Sequence, residues 1–477
     1  MLDKRKFYIN GEWVAPLAAN DLEVLNPATE KPVAVISMGT AVDVDRAVAA
    51  AKAAFATYGR SSVEERLALL EKLLDIYKRR YEEMAQTITL ELGAPITMSR
   101  EQQADVGVGH LQGFIDALKR LSMREELQNG DILLREPIGV CGLITPWNWP
   151  INQIALKVVP ALATGSTCVL KPSEFTPLNA MLYAEMIHEA GFPAGAFNLV
   201  NGDGLNAGAA LSKHADVDMV SFTGSTRAGI TVSKDAADTV KRVTLELGGK
   251  SPNIIFDDAD LEDRVTGSVL ECFNNSGQSC DAPTRLLVQK PVYARTLEIA
   301  ERVGREVSVG QPTQEGTHIG PLVSDIQFAR VQALIEAGIA EGARLLTGGA
   351  GKPDGFEVGY FVKPTIFVDV DNSMRIAREE VFGPVLAIMP FETEDEAIAI
   401  ANDTSYGLAA YVQTSDLARA ERVAAKLRAG MVHINGAPYR YGSPFGGYKQ
   451  SGNGREGGMF GLEDFLEVKT LHRPDAA

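Results

Sequence analysis

Between residues 140 and 247 short apolar runs alternate with amphipathic stretches, joined by connections of only a few residues, and this pattern leaves few folds open. The runs at 140–144, 167–170, 197–200, 219–222 and 243–247 predict strands. The stretches at 151–162, 178–189, 205–211 and 226–237 predict helices. A strand followed by a helix, repeated, builds a mostly parallel sheet covered on both faces. The fold class expected is therefore α/β.

The rest of the chain extends this plan. Phe7-Tyr8-Ile9 and Glu12-Trp13-Val14 flank Asn10-Gly11, a hairpin signal. From 41 to about 123 the pattern is helical, with Leu67, Leu70, Leu73, Leu74 and Tyr77 three and four residues apart. A second hairpin is expected over about 126–136, around Asn129-Gly130. A second α/β run follows over about 253–432, with strands at 286–288 and 385–388. The segment 464–471 alternates like an exposed strand.

A chain of 477 residues is long enough for two or three domains. Its net charge of −16 disfavours nucleic-acid partners. The charged start, Met1 to Lys6, is followed by no apolar core, so we expect a cytoplasmic protein without a membrane partner. The cysteines, Cys141, Cys168, Cys272 and Cys280, form no CxxC pair, and the six histidines show no HExxH spacing. We therefore expect no disulfide framework and no metal site.

Several local strings carry chemistry. Gly202-Asp203-Gly204 with Gly208 misses the GxGxxG spacing by one residue and, taken alone, reads first as a tight turn. Phe222-Thr223-Gly224-Ser225 ends a strand and opens a helix, where backbone N–H groups meet a pyrophosphate. Lys171-Pro172-Ser173-Glu174 stands at another strand end; it suits ribose hydroxyls or a surface ion pair. Cys280 follows the small-residue loop Asn275-Ser276-Gly277-Gln278-Ser279, as an accessible nucleophile or an ordinary buried thiol. Glu246, in Leu245-Glu246-Leu247-Gly248-Gly249, is a carboxylate that burial would make more basic. Asn148, within Pro146-Trp147-Asn148-Trp149-Pro150, offers an amide donor to an oxyanion.

Together these strings, with Glu379 to Pro384 (EEVFGP) and Ser443 to Glu456 (SPFGGYKQSGNGRE), resemble the NAD(P)-dependent aldehyde dehydrogenase superfamily over essentially the whole chain. The resemblance implies a Rossmann-type parallel-sheet cofactor domain (1–115 and 138–248) and an α/β catalytic domain (249–438). Small β bridging elements (116–137 and 439–477) would build a dimer or tetramer.

The resemblance also implies roles. The Cys280 thiolate attacks an aldehyde within an oxyanion hole of Asn148 and the Cys280 N–H. Hydride loss leaves a thioester, and Glu246 activates the water that releases a free acid. Lys157 and Glu456 match positions linked to proton transfer. Cofactor contacts fall on Lys171, Ser173, Glu174, Gly204, Gly208, Phe222, Thr223, Gly224, Ser225, Gly248, Glu380 and Phe382. Glu174 should favour NAD, with NADP possible. The aldehyde tail is expected near Trp149, Gln153, Leu156, Ser279, Asp281, Tyr439, Arg440 and Tyr441, with Asp281 pointing away from Cys280. The aromatic residues favour an aromatic or medium-sized aldehyde, whereas an inward Arg440 would suit an acidic one. A cysteine-dependent esterase is the rival reading, disfavoured because an ester hydrolase has no use for a dinucleotide site. A catalytically silent member of the fold is disfavoured because Cys280, Glu246 and Asn148 are all present.

Overall fold

The computed structural model describes residues 1–474; the end of the expected 439–477 element lies outside the described residues. An eight-stranded sheet carries five parallel strands in the order Arg242–Glu246, Met219–Thr223, Val140–Ile144, Thr167–Lys171 and Phe197–Leu199. The chain builds outward from Val140–Ile144 in one direction, then crosses back and builds in the other. The strand order therefore reverses between Val140–Ile144 and Met219–Thr223, which opens a crevice at their carboxyl ends. Antiparallel strands close the edges, among them the hairpin of Phe7–Ile9 and Glu12–Val14. Its turn needs two left-handed residues, and Asn10 (φ 53°) and Gly11 (φ 79°) supply them.

Alternation decides which face each strand residue covers. Leu143 and Leu170 pack into one apolar cluster, and Val140, Ile144 and Val169 into another on the opposite face. Both faces are thus dry, as a parallel sheet requires. The helix Pro150–Thr164 lies in the first cluster with every residue but Asn152 buried. Pro150 starts it where no N–H is needed, and Gly165 (φ 94°) ends it. The stretch from 41 onward forms helices Ala41–Tyr58, Val63–Arg79, Tyr81–Leu92 and Asp105–Arg120. Leu70, Leu73, Leu74 and Tyr77 are buried as their spacing predicts.

The second sheet has seven strands, from Arg344–Thr347 at one edge to Met431–Ile434 at the other, and only the first is antiparallel. Leu287 faces one apolar cluster and its neighbours Leu286 and Val288 face another. Two smaller sheets complete the chain. In one, Leu466–Leu471 pairs with Ile132–Pro137, the far strand of the Asn129-Gly130 hairpin, so a strand from each expected bridging segment enters a single sheet. The other joins Leu2–Lys4, Lys31–Ser37 and Asp21–Asn26. It has no clear signature in the sequence, because its pairings reach across loops and its outer strands are largely polar and exposed. No helix among the described residues is long and apolar enough to cross a membrane.

Candidate active site

The loops that follow three neighbouring strands converge at the crevice. Residues 145–149 follow Val140–Ile144, Gly224 and Ser225 follow Met219–Thr223, and Glu246 is the last residue of Arg242–Glu246. Against them lies the loop that carries Cys280, held in an unusual backbone. Asn275 (φ 51°), Ser276 (φ 57°) and Gly277 (φ 72°) are successively left-handed. Each non-glycine residue in that conformation costs about 1–2 kcal/mol, so the turn persists only because side chains over-determine it. The Asn275 amide donates to the carbonyls of Asn148 (2.8 Å) and Gln278 (3.2 Å) and accepts from Gln103 (3.2 Å). Ser276 donates to the Gly320 carbonyl, and the Gln278 side chain accepts from the Val323 N–H. At Gly277 a Cβ would lie 2.1 Å from the Gly383 carbonyl oxygen. That contact docks the Glu379–Pro384 loop onto the Cys280 loop.

Asn148 is buried, and its Nδ2 donates to the Gln278 carbonyl at 3.0 Å. The amide is therefore tied to the same loop as the thiol. Glu246 is 4% exposed, and among the described residues neither carboxylate oxygen accepts a hydrogen bond. Burial, and then the charge of Glu456, raise its proton affinity well above that of an ordinary glutamate, while Lys157 and Arg455 oppose the shift. Lys157, also buried, donates to Ser221 (3.0 Å) and to Glu456 (2.5 Å). The Cys280 thiol is likewise pushed up by burial, then by the carboxylates of Asp281, Glu380 and Glu246. Cys141, Cys168 and Cys272 are fully buried in strands or a helix.

The crevice side fits a dinucleotide. Ser225 caps the helix Thr226–Ala237 and is exposed, so the N–H groups of the first turn face solvent. Phe222 and Thr223 are buried just beneath, and Thr223 Oγ1 finds no partner among the described residues. Gly224 donates its N–H to the Glu246 carbonyl. Glu380 accepts from the Gly249 N–H at 3.0 Å and lies so close to Gly248 that a Cβ there would sit 2.4 Å from the carboxylate. Phe382 is left-handed (φ 59°) and meets the Trp147 ring edge-on at 5.3 Å. Lys171 is no surface lysine: it is buried, donates to the carbonyls of Pro172 and Gly202, and stands 3.7 Å from Glu174. Ser173 accepts from the Phe175 N–H, which leaves Glu174 half-exposed at the rim. Gly204 and Gly208 bound a single wide helical turn capped by Asp203. A side chain at Gly204 would meet open space, whereas one at Gly202 would strike Ala207 at 2.5 Å. Close packing in this segment therefore falls on Gly202.

On the other side of Cys280 a cavity of about 630 Å³ opens. Trp149, Gln153 and Leu156 wall it, spaced four and three apart along one helix face, and Tyr439, Tyr441 and Phe445 stand among the residues of the facing wall. The Trp149 indole donates to Ser279 Oγ at 2.5 Å.

The aldehyde dehydrogenase family model matches residues 13–471. The chain is 54% identical over 472 residues to a 3-succinoylsemialdehyde-pyridine dehydrogenase of a Pseudomonas species, covering 99% of each chain. The chain belongs to the aldehyde dehydrogenase family. An aldehyde dehydrogenase structure from Bartonella henselae superposes with a TM-score of 0.98 at 53% identity, over 99% of both chains. A cysteine-to-alanine mutant of aldehyde dehydrogenase C from Pseudomonas syringae, complexed with NAD+ and octanal, matches at TM-score 0.97 and 51% identity over 98% and 96% of the two chains. The protein is thus an NAD(P)-dependent oxidoreductase acting on aldehydes.

Two expectations about this aldehyde dehydrogenase change. Arg440 is exposed and takes no part in the cavity wall. Tyr439 and Tyr441 flank it and turn inward, Tyr439 bonding the Ser443 carbonyl and Tyr441 bonding Asp105. The residue between them is turned to water, where a guanidinium stays hydrated. Asp281 does not point away: it shares the cavity wall with Cys280, and its charge raises the thiol. Asp281→Asn removes a like charge, so the Cys280 thiolate forms at lower pH. We expect the pH profile of Cys280 alkylation to move acidwards; an unmoved profile would show the carboxylate facing elsewhere. The Asn275 and Gln103 clamp went unread in the sequence. Asn before Ser-Gly hints at a left-handed turn, but nothing local points to Gln103.

Proposed function

We propose that this chain oxidises a medium-sized aldehyde to its free carboxylic acid, with Cys280 as nucleophile and NAD as the preferred cofactor. The observation that carries the reading is the position of Cys280 between two spaces. The cavity lies on one side, and on the strand-end side Glu380 and Glu246 are near enough for their charges to raise the thiol. Bound there, NAD would supply the hydride acceptor. Cys280 adds to the aldehyde carbon, and the Asn148 amide stabilises the charge that develops on oxygen. Glu246, with both oxygens free of protein donors, takes the proton from the water that attacks the thioester. Lys157 and Glu456 form the buried pair behind it through which that proton's charge is balanced. A base placed to activate water supports release of an acid over transfer to another acyl acceptor.

Glu174 at the rim supports NAD: its carboxylate accepts from ribose hydroxyls and repels a 2′-phosphate. Aromatic side chains in the cavity wall support a tail with a ring or a short apolar chain. Relatives agree in kind, since one is named for a pyridine-bearing semialdehyde and another holds octanal. We place the protein in the cytoplasm. We also read it as a dimer or tetramer, because Leu466–Leu471 is a sheet edge with Val468 61% exposed; light scattering at monomer mass would contradict this. We keep the division 1–115 with 138–248, and 249–438; the strands of the two large sheets support it except Gly452–Asn453, which joins the first sheet from the 439–477 segment.

The test is absorbance of reduced nicotinamide, with NAD and with NADP, across aliphatic, aromatic and acidic aldehydes. Reduction with equimolar acid, faster with NAD, is expected. Folded protein that binds NAD yet reduces none with any aldehyde would overturn the reading.

A further inference from the structure

We propose that Glu91 is a positioning residue for the cofactor, because it anchors the loop 172–177 that carries Ser173 and Glu174. The inference rests on the reading above, in which Glu174 meets the ribose hydroxyls of NAD. Glu91 lies in the last turn of helix Tyr81–Leu92 and has no exposed surface. A carboxylate there opposes the dipole of its own helix, and a buried charge is costly unless its oxygens are paired. The pairing comes from another element. Oε2 accepts from the Leu178 N–H at 2.6 Å. Oε1 accepts from the Asn179 N–H at 2.9 Å and from Asn179 Nδ2 at 2.8 Å. Burial raises the proton affinity of Glu91, and these three donors oppose the shift.

Leu178 and Asn179 begin helix Leu178–Ala190, and its N-cap residue, Pro177, makes no side-chain cap. Glu91 therefore caps that helix from 87 residues away in the chain. One more bond carries the anchor into the loop: Asn179 Nδ2 also donates to the Thr176 carbonyl at 2.7 Å. The Thr176 N–H then donates to the Ser173 carbonyl at 3.3 Å, and the Phe175 N–H to Ser173 Oγ at 3.3 Å. The loop is thus held at one end by the strand Thr167–Lys171 and at the other by Glu91. Glu174, half-exposed between the two, has Lys171 as its ion-pair neighbour at 3.7 Å.

Glutamine at 91 keeps the shape but turns one oxygen into an NH2 group that faces an N–H. A donor then meets a donor where the helix starts, and the loop end loosens. None of the bonds named includes Cys280, Asn148 or Glu246, so the loss should fall on cofactor binding and not on the chemical steps.

The test measures steady-state kinetics, and NAD binding by fluorescence quenching, for wild type, Glu91→Gln, Glu174→Gln and the double variant. Glu91→Gln should raise KM and Kd for NAD by about tenfold and narrow the preference over NADP. It should lower neither kcat nor the affinity for aldehyde, as loss of uniform binding implies. Glu91→Asp, which keeps the acceptors on a shorter stem, should fall between. Because Glu91 acts through the Glu174 loop, the double variant should lose less than the two single effects combined. If Glu91→Gln does not fold, Asn179→Ala is read instead; it cuts the bond to Thr176 and should give the same rise in KM for NAD. NAD affinity unmoved in these variants while Glu174→Gln weakens it, a fall in kcat with NAD affinity intact, or fully additive losses would overturn the proposal. Unchanged NAD affinity in Glu174→Gln would instead strike the ribose reading, and the proposal with it.

Discussion

Cys280→Ala lowers aldehyde-dependent cofactor reduction by at least about a thousandfold, while the protein stays folded and still binds NAD. No other thiol can substitute. Cys141, Cys168 and Cys272 are fully buried, and burial raises each of their thiols. Cys280 alone is partly open, at the wall of the cavity. Its replacement should cost little stability, because a half-buried sulfur leaves only a small void. Alkylation of the native protein should therefore label one thiol per chain, and the variant none. Residual turnover above a thousandth of wild type, with binding intact, would remove Cys280 from the nucleophile's role. The elevated thiol is no objection. Asp281, Glu380 and Glu246 all disfavour the thiolate at rest, and the small fraction that forms is drawn off as it adds to the aldehyde carbon.

Much of this was legible in the sequence, for a physical reason. Periodicity reports which face of an element is dry, so the strands from Val140 to Glu246 and the helices between them could be placed from apolar spacing. Because strand order reverses inside that sheet, the strings at strand ends necessarily share one crevice. Asn148, Ser225 and Glu246 come together for that reason. What stayed hidden depends on contacts between distant segments. Gln103 and Asn275 lie 172 residues apart and clamp the nucleophile loop. Gly277 is required by the Gly383 carbonyl, over 100 positions away. The direction of Asp281 and Arg440 is set by backbone torsions in irregular loops, where no period exists to read. Gln413 sits within a regular strand, yet its buried, unpaired side-chain carbonyl follows only from the polarity of a hydrogen-bond chain through Asn253 and Ser268.

Glu246→Gln should separate the two halves of the reaction. The amide keeps the shape of the side chain but cannot take a proton from water. Acylation then runs once, releasing about one equivalent of reduced cofactor per active site. Steady-state turnover falls by about a hundredfold to a thousandfold, as loss of a general base implies. A burst followed by slow release, followed by rapid mixing, would establish this; a uniform loss without a burst would mean that Glu246 acts before the thioester. Stability should move the other way. The folded protein raises the proton affinity of Glu246, through burial first and Glu456 second. A group raised in this way stabilises the fold at low pH and progressively less as pH climbs from the ordinary glutamate range through the raised value. Above the ordinary glutamate range wild type therefore gives up stability to keep this carboxyl buried beside Glu456, and glutamine does not. The variant should melt higher than wild type at neutral pH, and the gap should close as the pH is lowered. Glu246 would then be a residue kept at the expense of stability because deacylation needs a base there.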